Sequence, residues 1–350
     1  LVSNSKIFGL LICAITALLS IQISNYIGIE LLNLEKRPIS PIIIAILIGS
    51  ILSNTVKNID KYNSGFTFAI KYLLKLGIIF LGIRLSISDI LLYGPQGLLV
   101  IIPCIVISII IVKNLHDYFQ VSNNLSLLIA VGTSICGATA IVALAPVIKA
   151  KKEEISYAIA NITIFGLIAM FLYPILAYTV FDNDSLAVGL FLGTSIHETA
   201  QVAGSGMIYA EQYENPSVLD ISTVIKLVRN TMMVIAIPLL AYLSKKSAIQ
   251  NSKINIGSIF PYFILGFLAF GMIRTIGDQF EYQIGIEIWN NFIHYIKYSA
   301  EILLITAMSA VGYNTKLEKF KNLGLKPFYL GFIAALSVGV VSFSIIYLIL

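Results

Sequence analysis

The sequence predicts an all-α polytopic membrane protein, and three observations carry that expectation. Hydrophobic residues make up 58% of the chain and charged residues 12%, where a soluble domain carries about 25% charge. Mean hydropathy is +0.90. Apolar runs that approach the roughly 20 residues needed to span a bilayer follow one another along the whole chain, with the charges gathered between them.

Taken in order, the runs begin near Ile7, Pro41, Phe66, Gly97, Leu125, Ile155, Leu186, Val218, Ile259, Tyr298 and Phe328, which gives about eleven hydrophobic segments. The first, Ile7 to Ile27, lacks a small-residue cleavage pattern followed by a polar mature domain, so it reads as a retained helix. The connections are short and charged: Glu35-Lys36-Arg37, Lys57 to Lys61, Lys149 to Glu154, Lys245-Lys246, Arg274 to Glu287 and Lys316 to Lys326. No soluble domain fits between them, and residues 1–350 read as a single transmembrane domain. The net charge of +5 follows from lysines and arginines between apolar runs, where the positive-inside rule puts them, and points to lipid rather than nucleic acid. Cys13, Cys104 and Cys136 lie within apolar segments, too far apart for a disulfide framework or a metal cluster.

Two runs, residues 122–149 and 185–210, are interrupted. Gly132-Thr133-Ser134-Ile135-Cys136-Gly137 breaks the first, and Gly193-Thr194-Ser195-Ile196-His197-Glu198-Thr199-Ala200-Gln201 breaks the second, each opening with the same four residues. Lipid offers a backbone no hydrogen bonds, so such breaks survive only where protein or a watery cavity satisfies them. The two therefore read as facing halves of one site, either as re-entrant hairpins or as broken helices that cross. If a half-helix begins at each tetrad, its unpaired N–H groups and dipole end favour an anion. Small residues also serve ordinary helix packing.

Outside the breaks, Leu73-Leu74 through Gly82 to Gly94 matches Leu303-Leu304 through Gly312 to Gly324 without a gap, as duplicated, oppositely oriented halves of secondary transporters would. Loop charges conflict with simple crossing, because three runs separate the basic loops at Lys149 and Lys245. Two re-entrant hairpins would bring all basic loops to one side.

Ionisable residues at membrane depth are costly and mark function by default. His197 and Glu198 stand in an otherwise uncharged run; the alternative is that they snorkel to an interface. His197 to Gln201 resembles a zinc-protease helix, except that Gln201 stands where the second histidine belongs. His116 and His294 lie in or beside loops, so no metal is expected. Lys226 and Arg229 share a helical face with Asn230 beside them, and a guanidinium suits a bidentate oxyanion. Structural pairing of Arg229 with Glu198 is the competing reading.

At these residues the chain resembles the YeiH-type bacterial inner-membrane family, labelled as sulfate exporters. The resemblance rests on Thr133-Ser134-Ile135-Cys136-Gly137 with Pro146-Val147-Ile148-Lys149-Ala150, on Ser195-Ile196-His197-Glu198 with Ala200-Gln201-Val202, and on Lys226 and Arg229, in the same order and over nearly the whole chain. Gly204-Ser205-Gly206 departs from the expected alanine-rich stretch. The family is similar to cation/proton antiporters and bile-acid transporters, which implies inverted repeats and a core moving against a scaffold.

The expectation is a proton-coupled secondary transporter of a small anion, such as sulfate or a carboxylate, in the bacterial inner membrane, with homodimerisation left open. Its expected substrate-binding residues are Thr133, Ser134, Cys136, Gly137, Thr194, Ser195, His197, Glu198, Gln201, Lys226, Arg229 and Asn230, with His197 and Glu198 as a proton-linked gate. The absence of a Walker-type motif argues against pumping by ATP, and no cofactor is expected. The alternatives are an intramembrane enzyme using His197 and Glu198 as acid and base, and a channel or sensor, which lacks rings of like charge.

Overall fold

A computed structural model describes residues 4–27, 40–243, 260–315 and 324–350. The basic stretches at Glu35-Lys36-Arg37 and Lys245-Lys246, and most of the one from Lys316, lie outside the described residues, and the orientation argument built on them lies outside with them. Among the described residues every regular element is helical.

The helices are α1 (Asn4–Asn25), α2 (Pro41–Thr55), α3 (Ile59–Arg84), α4 (Ile87–Leu115), α5 (Asn123–Cys136), α6 (Ala138–Leu144), α7 (Lys152–Val180), α8 (Ser185–Ser195), α9 (Thr199–Gln212), α10 (Ser217–Thr231), α11 (Met233–Leu243), α12 (Phe263–Gln279), α13 (Glu281–Ile284), α14 (Ile286–Asn314) and α15 (Leu325–Ile349). Among the described residues six helical stretches are long and apolar enough to cross a membrane: α1, α3, α4, α7, Ser217–Leu240 and α15. Helices α2, α5 and α8 are shorter apolar helices. The run expected from Tyr298 begins as a helix at Ile286, because α14 also takes up the polar residues Asn290, Asn291, His294 and Lys297. Large apolar side chains on the spans face outward, among them Leu91, Leu99, Ile102, Leu172, Leu336 and Val340. That surface would aggregate in water and suits lipid.

Local chemistry sets the helix ends. Ser40 caps α2 ahead of Pro41, which is pre-set for the first helical position. The Ser122 hydroxyl accepts from the Leu125 N–H at 3.2 Å to cap α5, and Asp184 accepts from the Ala187 N–H at 2.7 Å to cap α8.

The chain divides into two compact units. The first comprises Leu1–Leu91, Met207–Pro216 and Tyr262–Glu318. Within it α1 meets α3 at Gly9 and Gly65, where a Cβ on either would overlap the other's backbone, the close approach that small residues allow in membranes. Tyr313 anchors this packing: its ring stacks on Phe66 at 4.6 Å, and its hydroxyl meets that of Thr16 at 2.9 Å. The two stretches that match in sequence each end a helix shortly after the shared glycine, at Arg84 after Gly82 and at Asn314 after Gly312.

The second unit comprises Leu92–Gly206, Ser217–Pro261 and Lys319–Leu350. In it α8 lies against α10, with Ile221 over Gly189 and Ile225 over Gly193. A run of tilted rings, Tyr173 on Phe191, Phe191 on Phe181 and Phe181 on Phe343, joins α7 and α8 to α15. All twelve expected site residues belong to this unit.

Candidate functional site

Both interrupted runs are helices that stop and restart. The first ends in a π-turn, where the Gly137 N–H bonds to the Gly132 carbonyl at 2.9 Å and passes over that of Thr133. Gly137 itself takes φ 71° and ψ −135°, a conformation open in practice only to glycine. The wide turn leaves the carbonyls of Thr133, Ser134 and Ile135 without helical partners. The second run stops at Ser195 and restarts at Thr199, which frees the carbonyls of Thr194, Ile196 and His197.

Two cations on α10 take up those oxygens. Arg229 donates through Nε to Ser134 O at 2.7 Å and through Nη2 to Thr133 O at 2.5 Å, while its Nη1 reaches Thr194 O at 2.7 Å and Ile196 O at 2.9 Å. Lys226 Nζ donates to Ile135 O at 3.1 Å, to Ile196 O at 3.0 Å and to His197 O. Both side chains are fully buried. The negative ends of two half-helices thus meet on two positive side chains, which is how two like charges one turn apart are held in the interior.

The expected arrangement is corrected in two respects. The Gly-Thr-Ser-Ile tetrads end half-helices rather than begin them, so the tetrads present carbonyls to Lys226 and Arg229. The Arg229 fork spans backbone oxygens of both breaks and is not left open for an oxyanion. Nor does Arg229 pair with Glu198: Glu198 Oε1 accepts from the Ala138 N–H at 3.4 Å, and its Cγ lies where a Cβ on Gly137 would stand.

The remaining expected residues have varied surroundings. The Thr194 hydroxyl donates to Leu190 O at 2.6 Å and meets the Ser342 hydroxyl at 2.6 Å. That of Ser195 turns back to Phe191 O. Cys136 Sγ lies 2.9 Å from Met233 Sδ. Gln201 meets α7: its Oε1 accepts from the Glu198 N–H at 3.2 Å and its Nε2 donates to Thr163 O at 3.4 Å, packed over Gly166. Asn230 Nδ2 donates to Thr199 Oγ1 at 3.1 Å. Among the expected residues, four buried polar atoms make no hydrogen bond of normal geometry: both ring nitrogens of His197, which lies near the Thr133 carbonyl, Ser134 Oγ and Asn230 Oδ1. Of the residues at the two breaks, Ala138, Thr139, Glu198 and Thr199 keep accessible surface.

Thr139, Thr199, Thr163, Gly166, Met233 and Ser342 were not among the expected site residues. Thr139 and Thr199 stand within the two breaks and were open to recognition there; the other four lie on distant segments without a motif. Among the described residues no three His, Cys, Asp or Glu side chains gather as a metal site would need.

A family profile described as Conserved hypothetical protein 698 matches residues 8–331. A UPF0324 membrane protein of Fusobacterium nucleatum is 33% identical over 98% of this chain and 98% of its own. One of Clostridium tetani is 32% identical over 96% of this chain and 95% of its own, and one of Bacillus anthracis is 33% identical over 95% and 93%. No solved structure matches. These names describe membrane proteins, in agreement with the apolar spans and with the resemblance carried by the motifs of the two breaks. The chain belongs to the Conserved hypothetical protein 698 family of UPF0324 membrane proteins.

Proposed function

We propose that this membrane protein is a secondary transporter of a small anion, moved through the crossover of the two broken helices without chemical change. One observation carries the reading: Lys226 and Arg229 are buried beside four polar atoms that make no hydrogen bond of normal geometry, two on His197 and one each on Ser134 and Asn230. Unpartnered buried polar atoms are costly, and intramembrane charges mark substrate pathways. A ligand that satisfies them removes the cost. The cluster holds two fixed positive charges against the one carboxylate of Glu198, which favours an anion. Because the Lys226 and Arg229 donors are engaged by carbonyls, the cations act on the anion by field, and His197 and Ser134 supply the contacts.

Proton coupling enters through Glu198, whose charge opposes the anion and whose protonation relieves that opposition. Inverted repeats complete the proposal, supported by the matching helix ends after Gly82 and Gly312. The test is a melting screen of purified protein against sulfate, sulfite, sulfonates and small carboxylates, followed by uptake of the stabilising anion into proteoliposomes and its recovery intact. The reading fails if no anion in the screen stabilises the protein and none crosses.

A further inference from the structure

We infer that Lys226 is a built-in coupling cation: its ammonium fills a cage of half-helix carbonyls that would otherwise hold a free monovalent cation. An ammonium has three donors and no acceptor, and the cage supplies three oxygens, on Ile135, Ile196 and His197. The oxygens come from the ends of two separate half-helices, each carrying about half a negative charge. Carriers built on broken helices hold coupling cations on such unwound carbonyls and helix C-terminal ends.

Here the place is taken by a group tethered to α10. Among the described residues no carboxylate bonds to the ammonium, and Glu198 Oε1 accepts from the Ala138 N–H instead. A lysine serving as a direct anion ligand would keep a donor free, and this one has none left. The Ile196 oxygen is shared with Arg229, so the second cation adjoins the cage. A consequence for coupling rests on the transporter reading: anion movement needs no sodium. The cage itself does not depend on that reading.

The test compares native protein, Lys226→Ala and Lys226→Met in detergent, in choline, sodium, potassium and ammonium chlorides at equal ionic strength. The native melting temperature is expected to be the same in all four salts. Lys226→Ala should melt at least about 5 °C lower in choline and regain half or more of the loss in ammonium, whose donors match the three oxygens, or in sodium. Lys226→Met, which keeps an unbranched apolar arm in the cage, should regain nothing. Stabilisation of the native protein by sodium over choline overturns the inference, as does indifference of Lys226→Ala to the cation. If Lys226→Ala does not accumulate, the native comparison decides. Cation-selective rescue in a chain that moves no anion would keep the cage and end the transporter reading, whereas sodium-driven anion uptake by the native chain would do the reverse.

Discussion

The Nε of Arg229 donates to the carbonyl of Ser134 at 2.7 Å, closing the end of a half-helix. The same guanidinium holds Thr194 O at 2.7 Å on the other broken helix, so one side chain ties together two segments far apart in sequence. Each stopped helix leaves carbonyls that lipid cannot satisfy, and a planar five-donor group reaches several at once. The breaks and the arginine therefore depend on one another.

That dependence predicts the outcome of Arg229→Lys. Lysine keeps the charge but cannot span four oxygens, and each buried carbonyl left without a partner costs about 1–3 kcal/mol. The variant should lose on the order of 3 kcal/mol of stability, measured by denaturation in detergent with no anion present. Unchanged stability together with weakened anion binding would return Arg229 to the role of a direct ligand.

Gly137→Ala should be damaging for two reasons. Its φ of 71° with ψ −135° costs a side chain about 1–3 kcal/mol, and the new Cβ would overlap Glu198. Gly285→Ala separates these causes, since Gly285 also has positive φ, at 96°, but its Cβ would meet only ordinary contacts with Ile288. Both variants should melt earlier, and only Gly137→Ala should lose anion-dependent stabilisation. Equal anion responses would separate Gly137 from the site.

Much of this site was legible because lipid makes polar breaks conspicuous. Glycine, serine and threonine at membrane depth marked both interruptions, and Lys226 and Arg229 stood out as charges in an apolar run. The direction of the half-helices was not legible: Gly-Thr-Ser-Ile reads alike at a beginning and at an end, and the bond from Gly137 N to Gly132 O is what sets it. Met233 and Ser342 meet Cys136 and Thr194 through tertiary packing that no local pattern announces. At the level of the fold, apolar runs located helices but not their ends, as α14 shows by extending through His294 and Lys297 to Ile286.

Glu198 is expected to set the pH dependence of anion binding. Its carboxylate bonds to the Ala138 N–H at 3.4 Å and keeps accessible surface, so a proton can reach it. An ionised Glu198 repels an anion and a protonated one does not, hence affinity should rise as pH falls, and by linkage the anion should promote proton uptake by the same factor. Glu198→Gln should bind with the affinity of the native protein at low pH and show a flat profile. A slope that persists in Glu198→Gln would move the titrating group elsewhere.

His197 provides the sharpest separation between packing and binding. Its ring is buried near the Thr133 carbonyl but neither nitrogen makes a hydrogen bond of normal geometry, while its own carbonyl accepts from Lys226, a bond that survives any change of side chain. Replacing an unsatisfied polar ring by an apolar one of similar shape removes a desolvation cost, so His197→Phe should leave stability without anion unchanged or raise it by about 1 kcal/mol. If the ring nitrogens contact the anion, the same variant should lose the anion-dependent melting shift, and His197→Gln, which retains a donor, should keep part of it. The measurement is melting temperature against anion concentration for the three proteins. A shift of native size in His197→Phe would assign the histidine to packing and leave Ser134 and Asn230 as the groups that meet the solute.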